Sequence, residues 1–90
     1  LKNLEELNLS RNYFTNLYFL KGLEKLQELN LRDNMLKDIR GLKNLPKLKQ
    51  LDFSQNLIRD IQPLQNLKFL ESVDLSSNQI KDTSLLRHLE

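Results

Sequence analysis

Leucine returns to the same places every 22 residues along this chain. Stacked at that period, Leu1, Leu23, Leu45, Leu67 and Leu89 share one column, and Leu4, Leu26, Leu48 and Leu70 another. Leu7, Leu29, Leu51 and Val73 follow, then Leu9, Leu31, Phe53 and Leu75. Further on come Phe14, Leu36, Ile58 and Ile80, then Leu17, Ile39, Ile61 and Thr83, then Leu20, Leu42, Leu64 and Leu86. Among these apolar columns runs a polar one: Asn12, Asn34, Asn56 and Asn78. No insertion breaks the register. A fixed period of this length means that each unit is one coil of a stacked array, unable to bury its apolar face alone. The units are 1–22, 23–44, 45–66 and 67–88, and a fifth begins at Leu89.

Two spacings alternate within a unit. Leu7-x-Leu9 has spacing two, which points both side chains to one face of a strand. Phe14, Leu17, Leu20, Leu23 and Leu26 have spacing three, which suits a 3₁₀-like or extended return segment. Strand and return face each other across a narrow core. Successive strands then pair in parallel and the chain curls. Asn16, Asp38, Asp60 and Asp82 precede the Leu17 column, where a short side-chain oxygen can cap the first free N–H groups of the return.

The motif L-x-x-L-x-L-x-x-N occurs at Leu4–Asn12, Leu26–Asn34 and Leu48–Asn56, and with Val73 as a variant at Leu70–Asn78. It resembles the leucine-rich repeat family over the whole chain. The 22-residue length and the tail Ile58-x-Asp60-Ile61-x-x-Leu64 look like its short class. That class occurs in the leucine-rich regulatory subunit of protein phosphatase 1 and in bacterial internalins. The resemblance implies an α/β leucine-rich repeat solenoid: a curved right-handed coil with parallel short strands inside and 3₁₀ or extended turns outside. It also implies a non-catalytic scaffold that holds a protein partner on the concave face. In that scaffold the asparagines form a structural ladder, each satisfying backbone groups of its own and neighbouring turns.

Composition closes other routes. Ninety residues make at most one domain. With no cysteine, the chain has no disulfide, zinc–thiolate site or thiol chemistry. The one histidine, His88, falls in the loop column of Gly22, Asn44 and Asn66, where no Ser/His/Asp set or metal cluster forms around it. We therefore expect no cofactor, no metal and no small-molecule substrate. No apolar run is long enough for membrane insertion. The triplet Asn8-Leu9-Ser10 matches a glycosylation acceptor, but it lies on a strand rather than a loop.

Residues alternating with the buried leucines point onto the concave face. Glu5, Glu6, Asn8, Ser10 and Arg11 come from the first coil, and Gln27, Glu28, Asn30, Arg32 and Asp33 from the second. Lys49, Gln50, Asp52, Ser54 and Gln55 follow, then Glu71, Ser72, Asp74, Ser76 and Ser77. Seven are acids and three are bases, although the whole chain carries +2. The concave face is therefore acidic and the outer face basic. An acidic face disfavours phosphate backbones and favours a basic protein surface. The contact residues expected are Glu6, Glu28, Asn30, Arg32, Asp52, Glu71 and Asp74. Carboxylates paired there should lack the desolvated pocket that shifts a pKa. Asp52 beside Asp74 should repel.

The concave columns hold no aromatic residue. Apolar candidates lie just after the asparagine ladder, where Tyr13, Met35 and Leu57 form a ridge and Gln79 ends it. The sheet face projects only about 200 Å², whereas a standard interface takes about 800 Å² per partner. Apolar residues open both ends of the array, so we expect a segment of a longer repeat protein without caps. An intracellular setting fits the lack of cysteine and the resemblance to the phosphatase regulator. Alternative readings are a bacterial cell-surface adhesin of internalin type and a nucleic-acid-associated adaptor. The adaptor would use the outer bases Lys21, Lys25, Lys37, Arg40, Lys43 and Lys47. They lack the interleaved aromatics of single-strand binders.

Overall fold

A computed structural model of the chain describes residues 2–82. Thr83, His88 and the start of the fifth unit at Leu89 lie outside the described residues. Four three-residue strands, β1 (Glu6–Asn8), β2 (Glu28–Asn30), β3 (Gln50–Asp52) and β4 (Ser72–Asp74), form one sheet in chain order. All three pairings are parallel. Leu7 stands beside Leu29, Leu29 beside Leu51 and Leu51 beside Val73, so the sheet register is the sequence repeat itself.

The return segments carry 3₁₀ turns at Tyr18–Leu20, Arg40–Asn44 and Gln62–Asn66. The residues spaced by three are also joined to one another by hydrogen bonds. Leu20 N–H donates to Leu17 O, Leu23 N–H to Leu20 O and Leu26 N–H to Leu23 O, at 3.0, 3.1 and 3.2 Å. The second coil repeats this through Ile39, Leu42, Leu45 and Leu48, and the third through Ile61, Leu64, Leu67 and Leu70. One periodicity thus supplies the apolar face and the i→i+3 bonds together. Side-chain oxygens open each turn: Asn16 accepts from Tyr18 N–H, Asp38 from Arg40 N–H and Asp60 from Gln62 N–H.

The core is one cluster in which leucines from strand and return interdigitate with Phe53, Ile39, Ile58 and Ile61. Side chains of the second and third coils are covered by neighbours on both sides. In the first coil Leu4, Leu7, Leu9 and Phe14 are only half-buried. Phe14 stacks there on Phe19, with ring centroids 4.3 Å apart. A stack of coils has two end faces, and the apolar columns are exposed on them.

The asparagine column bonds each coil to the one before it. Asn34 Nδ2 donates to Leu31 O in its own coil at 3.0 Å and to Leu9 O in the preceding coil at 3.1 Å. Its Oδ1 accepts from Phe14 N–H at 3.1 Å. Asn56 binds Phe53 O, Leu31 O and Leu36 N–H in the same way, and Asn78 binds Leu75 O, Phe53 O and Ile58 N–H. Asn12 donates only within its own coil, to Leu9 O and Ser10 O.

The residue before each asparagine takes a left-handed backbone: Arg11 at φ 60°, Asp33 at 59°, Gln55 at 58° and Ser77 at 57°. None is β-branched, in keeping with the steric cost of that region, although none is glycine. Gly41 meets a different constraint. A Cβ there would lie 2.9 Å from Leu17 Cβ and 3.0 Å from Leu17 C, so its bareness lets the second coil close on the first.

Two stability outcomes follow from this stacking. Asn34→Ala leaves Phe14 N–H without its side-chain partner, and Leu9 O and Leu31 O with only the amides of Asn12 and Asn56, and should cost about 1–3 kcal/mol. Asn12→Ala, exposed and bonded only locally, should cost far less; equal losses in urea titration would refute the inter-coil role. Gly41→Ala should destabilise by about 1–3 kcal/mol through overpacking against Leu17, read from the same titration.

Candidate functional site

The sheet face is built from two columns only. Glu6, Glu28, Gln50 and Ser72 stand side by side in one, and Asn8, Asn30, Asp52 and Asp74 in the other. All of these except Asp74 line an open concavity of about 480 Å³ floored by Leu7, Leu29 and Leu51. The structure thus brings Glu6, Glu28, Asn30 and Asp52 together. It adds Asn8, Gln50 and Ser72, which share the columns of the residues named from sequence. Arg32, Glu71 and Asp74 fall outside the concavity. Glu71 precedes β4 by one residue, and its N–H pairs with Lys49 O where the strand begins.

The Asn/Asp column does more than face outward. Asn8, Asn30, Asp52 and Asp74 each accept, through Oδ1, the N–H of the residue two ahead, at 2.9–3.0 Å. These side chains end the strands by capping the turn that follows. Ser54 and Ser76 add hydroxyl bonds to Asp52 and Asp74 at 2.6 and 2.7 Å. Oδ1 of each carboxylate is therefore engaged locally. The i, i+2 pattern Asn-x-Ser or Asp-x-Ser in the sequence carried this signal.

Ser54 is a correction. Alternation placed it on the open face, yet it is 0% exposed. The alternation ends with the strand at Asp52, and Arg32 Nη1 reaches across from the preceding coil to donate to Ser54 Oγ at 3.3 Å.

Charge on the face is unevenly compensated. Glu28 has its pKa raised above 4.5, first by the like charge of Glu6, then by partial burial and a shared hydrogen bond. The open face does not prevent a shift, contrary to the expectation from sequence, because the neighbouring carboxylate acts without a dry pocket. Asp74 is lowered, first by the backbone N–H of Ser76, then by its hydroxyl, with a smaller contribution from the Arg32 charge. The repulsion expected between Asp52 and Asp74 is thus offset at Asp74 by local hydrogen bonds.

Tyr13 and Met35 of the expected ridge are 84% and 45% exposed, and Leu57 is half-buried. The ridge column lies beyond the sheet, where each strand has already left it. On the outside, Lys21, Lys25, Lys37, Arg40, Lys43 and Lys47 are all exposed. Arg40 pairs with Asp38 at 2.8 Å and holds its carboxyl down at about 2 through side-chain and backbone bonds. The 3₁₀ turn brings Arg40 back onto Asp38, two residues before it. Among the described residues no group of three or more His, Cys, Asp or Glu is placed to hold a metal ion, and no helix is long and apolar enough to cross a membrane.

A four-strand parallel sheet with one 3₁₀ return and one bonded asparagine per step defines a leucine-rich repeat solenoid. The family description "Leucine Rich repeats (2 copies)" matches residues 2–44, 24–66 and 46–88, successive matches beginning 22 residues apart. The chain belongs to the leucine-rich repeat family. Among solved structures it is similar to an internalin C2 from Listeria monocytogenes, at 43% identity and a TM-score of 0.91 over 99% of this chain. It is similar also to an internalin, inlF, of the same organism, at 32% identity and a TM-score of 0.83 over 88% of this chain. It spans 39% and 24% of those two chains respectively. No curated protein matches the sequence.

The signs of the pKa shifts set opposite acid responses. Glu28, raised by Glu6, favours the folded state when protonated, and this contribution is lost as pH rises above 4.5 through its folded pKa. Asp38 and Asp74, both lowered, stabilise above pH 3.8 and lose that contribution as pH falls, for Asp38 through about 2. Glu28→Gln should therefore raise the melting temperature at pH 7 and remove the gain that wild type shows on mild acidification. A drop at pH 7 would mean that the Glu28 carboxylate is satisfied in the fold.

Proposed function

We propose that this array is a non-catalytic protein-interaction scaffold that holds a partner's basic surface on its acidic concave face. The observation that carries this reading is the make-up of the two sheet columns. They hold Glu6, Glu28, Asp52 and Asp74 and no base. Opposite charge across an interface fixes register and speeds encounter more than it adds affinity. Side chains anchored at their base by strand-end bonds, as Asn30 and Asp52 are, lose little freedom on binding. The Asp-Ser pairs keep the carboxylates in place for a Lys or Arg of the partner.

A second reading, a bacterial cell-surface adhesin of internalin type, draws support from the likeness to the two Listeria internalins. It concerns where the protein works and is compatible with the same face. A secretion signal and a surface anchor encoded beside these repeats would decide it. For the nucleic-acid adaptor reading, the outer bases lie on the surface opposite the acidic sheet, and Arg40 is already paired with Asp38.

Charge reversal tests the face directly. Glu28→Lys/Asp52→Lys should lose, by tenfold or more, the affinity for partners recovered with wild type, while the circular-dichroism spectrum stays unchanged. Binding should weaken with salt, since exposed charges are screened beyond about 8 Å at physiological ionic strength. Unchanged recovery by the double variant, with its fold intact, would sink the concave-face reading. Loss on reversing Lys43 and Lys47 instead would favour the adaptor.

A further inference from the structure

The face described above is not evenly acidic along the stack. Its acids shift columns: Glu6 and Glu28 occupy the first column in β1 and β2, whereas Asp52 and Asp74 occupy the second in β3 and β4. Of the bases that flank these columns, Arg32 bonds to the aspartate end. Arg32 belongs to a column that otherwise reads Ser10, Ser54 and Ser76. Its guanidinium leans away from its own coil toward the third and donates to Ser54 Oγ at 3.3 Å. Ser54 is fully buried and donates in turn to Asp52 Oδ1 at 2.6 Å. A hydroxyl group thus links Arg32 to Asp52.

We propose, resting on the reading of the concave face as a binding surface, that Arg32 is its specificity-determining residue. Seated on Ser54, its guanidinium serves as the built-in counter-ion of the Asp52–Asp74 end and directs a partner's basic side chain to the Glu6–Glu28 end.

Three observations converge. The Arg32–Ser54–Asp52 chain fixes the positive charge over the third coil by geometry. Asp74, one coil further on, feels Arg32 as a favourable charge. Glu28 feels Glu6 as an unfavourable one, so the carboxylate pair in β1 and β2 lacks the compensation that the other end has. A cation arriving from outside gains most where the existing charges repel one another and least where a guanidinium already stands. The partner's matching element is a Lys or Arg placed to reach β1 and β2. A second base over β3 and β4 would meet Arg32 and be rejected, which is how a charged face discriminates among basic partners.

The probe is an acetylated, amidated hexalysine peptide at low ionic strength, followed by the side-chain carboxyl NMR shifts of Glu6, Glu28, Asp52 and Asp74. In wild type the two glutamates should respond with an apparent Kd about two- to fivefold tighter than the two aspartates, the scale of one exposed charge contact. Arg32→Ser installs the residue of the other three coils. It should bring the aspartates level with the glutamates. Arg32→Gln, equal in reach and without charge, should do the same and serves if the serine variant perturbs the amide spectrum. Lys47→Ser removes the same charge from the outer face and should leave the glutamate preference intact.

Aspartates that respond first or equally in wild type would overturn the Arg32 assignment alone. So would an Arg32→Ser pattern identical to wild type. If none of the four carboxyls responds, the acidic-face reading and the role of Arg32 fail together.

Discussion

One side-chain amide per coil holds this molecule in register. Asn34, Asn56 and Asn78 each bond a carbonyl at the end of their own strand and two backbone groups of the coil before. Strands of three residues cannot position neighbouring coils alone, because each pairing offers few ladder bonds. The turn that leaves the sheet would otherwise carry unpaired N–H and C=O groups into a buried place. A carboxamide carries two N–H donors and a carbonyl acceptor, which is what bonding two carbonyls and one N–H requires. Everything else in the stack, from the leucine layers to the alignment of Glu6 with Glu28, follows from coils held at that fixed step.

Function and skeleton share the same short strands, which limits what the face can offer. Each strand presents two outward side chains, and one of the two also caps the strand end. Asp52 and Asp74 are thus structural acceptors and surface charges at once, and the column reads Asn, Asn, Asp, Asp. The Glu6 column carries no such duty and is free to vary as Glu, Glu, Gln, Ser. Under the proposed function, binding character is written chiefly in that column and at Arg32. The aromatic and thioether side chains stand at the edge beyond the sheet, where Tyr13 and Met35 remain exposed.

Repetition makes such a chain unusually legible. A column that is apolar in every unit has to face the common core, whatever the detailed path of the backbone. Strand position, parallel register, the 3₁₀ returns and the asparagine ladder were all readable from columns. What escaped was the point at which each column changes role. Alternation continued past Asp52 would leave Ser54 on the surface; the chain instead turns at Asp52 and Arg32 covers the serine. The left-handed residues Arg11, Asp33, Gln55 and Ser77 show no glycine to announce them. Asp38 meets Arg40 because the turn folds back within two residues.

The sequence by itself determined the coil, its period, its layer of buried leucines and the acidic cast of the sheet face. These depend on side-chain identity repeated at fixed spacing, and hydrophobic burial tolerates no other assignment of the columns. Only the tertiary structure decided how the charges on that face are balanced. Glu6 and Glu28 are 22 residues apart and repel; Arg32 and Ser54 are equally far apart and bond. Electrostatic interaction depends on distance and local hydrogen bonding rather than on composition. Two faces of equal net charge therefore differ in how their charges are balanced, and the stacking of coils sets that balance here.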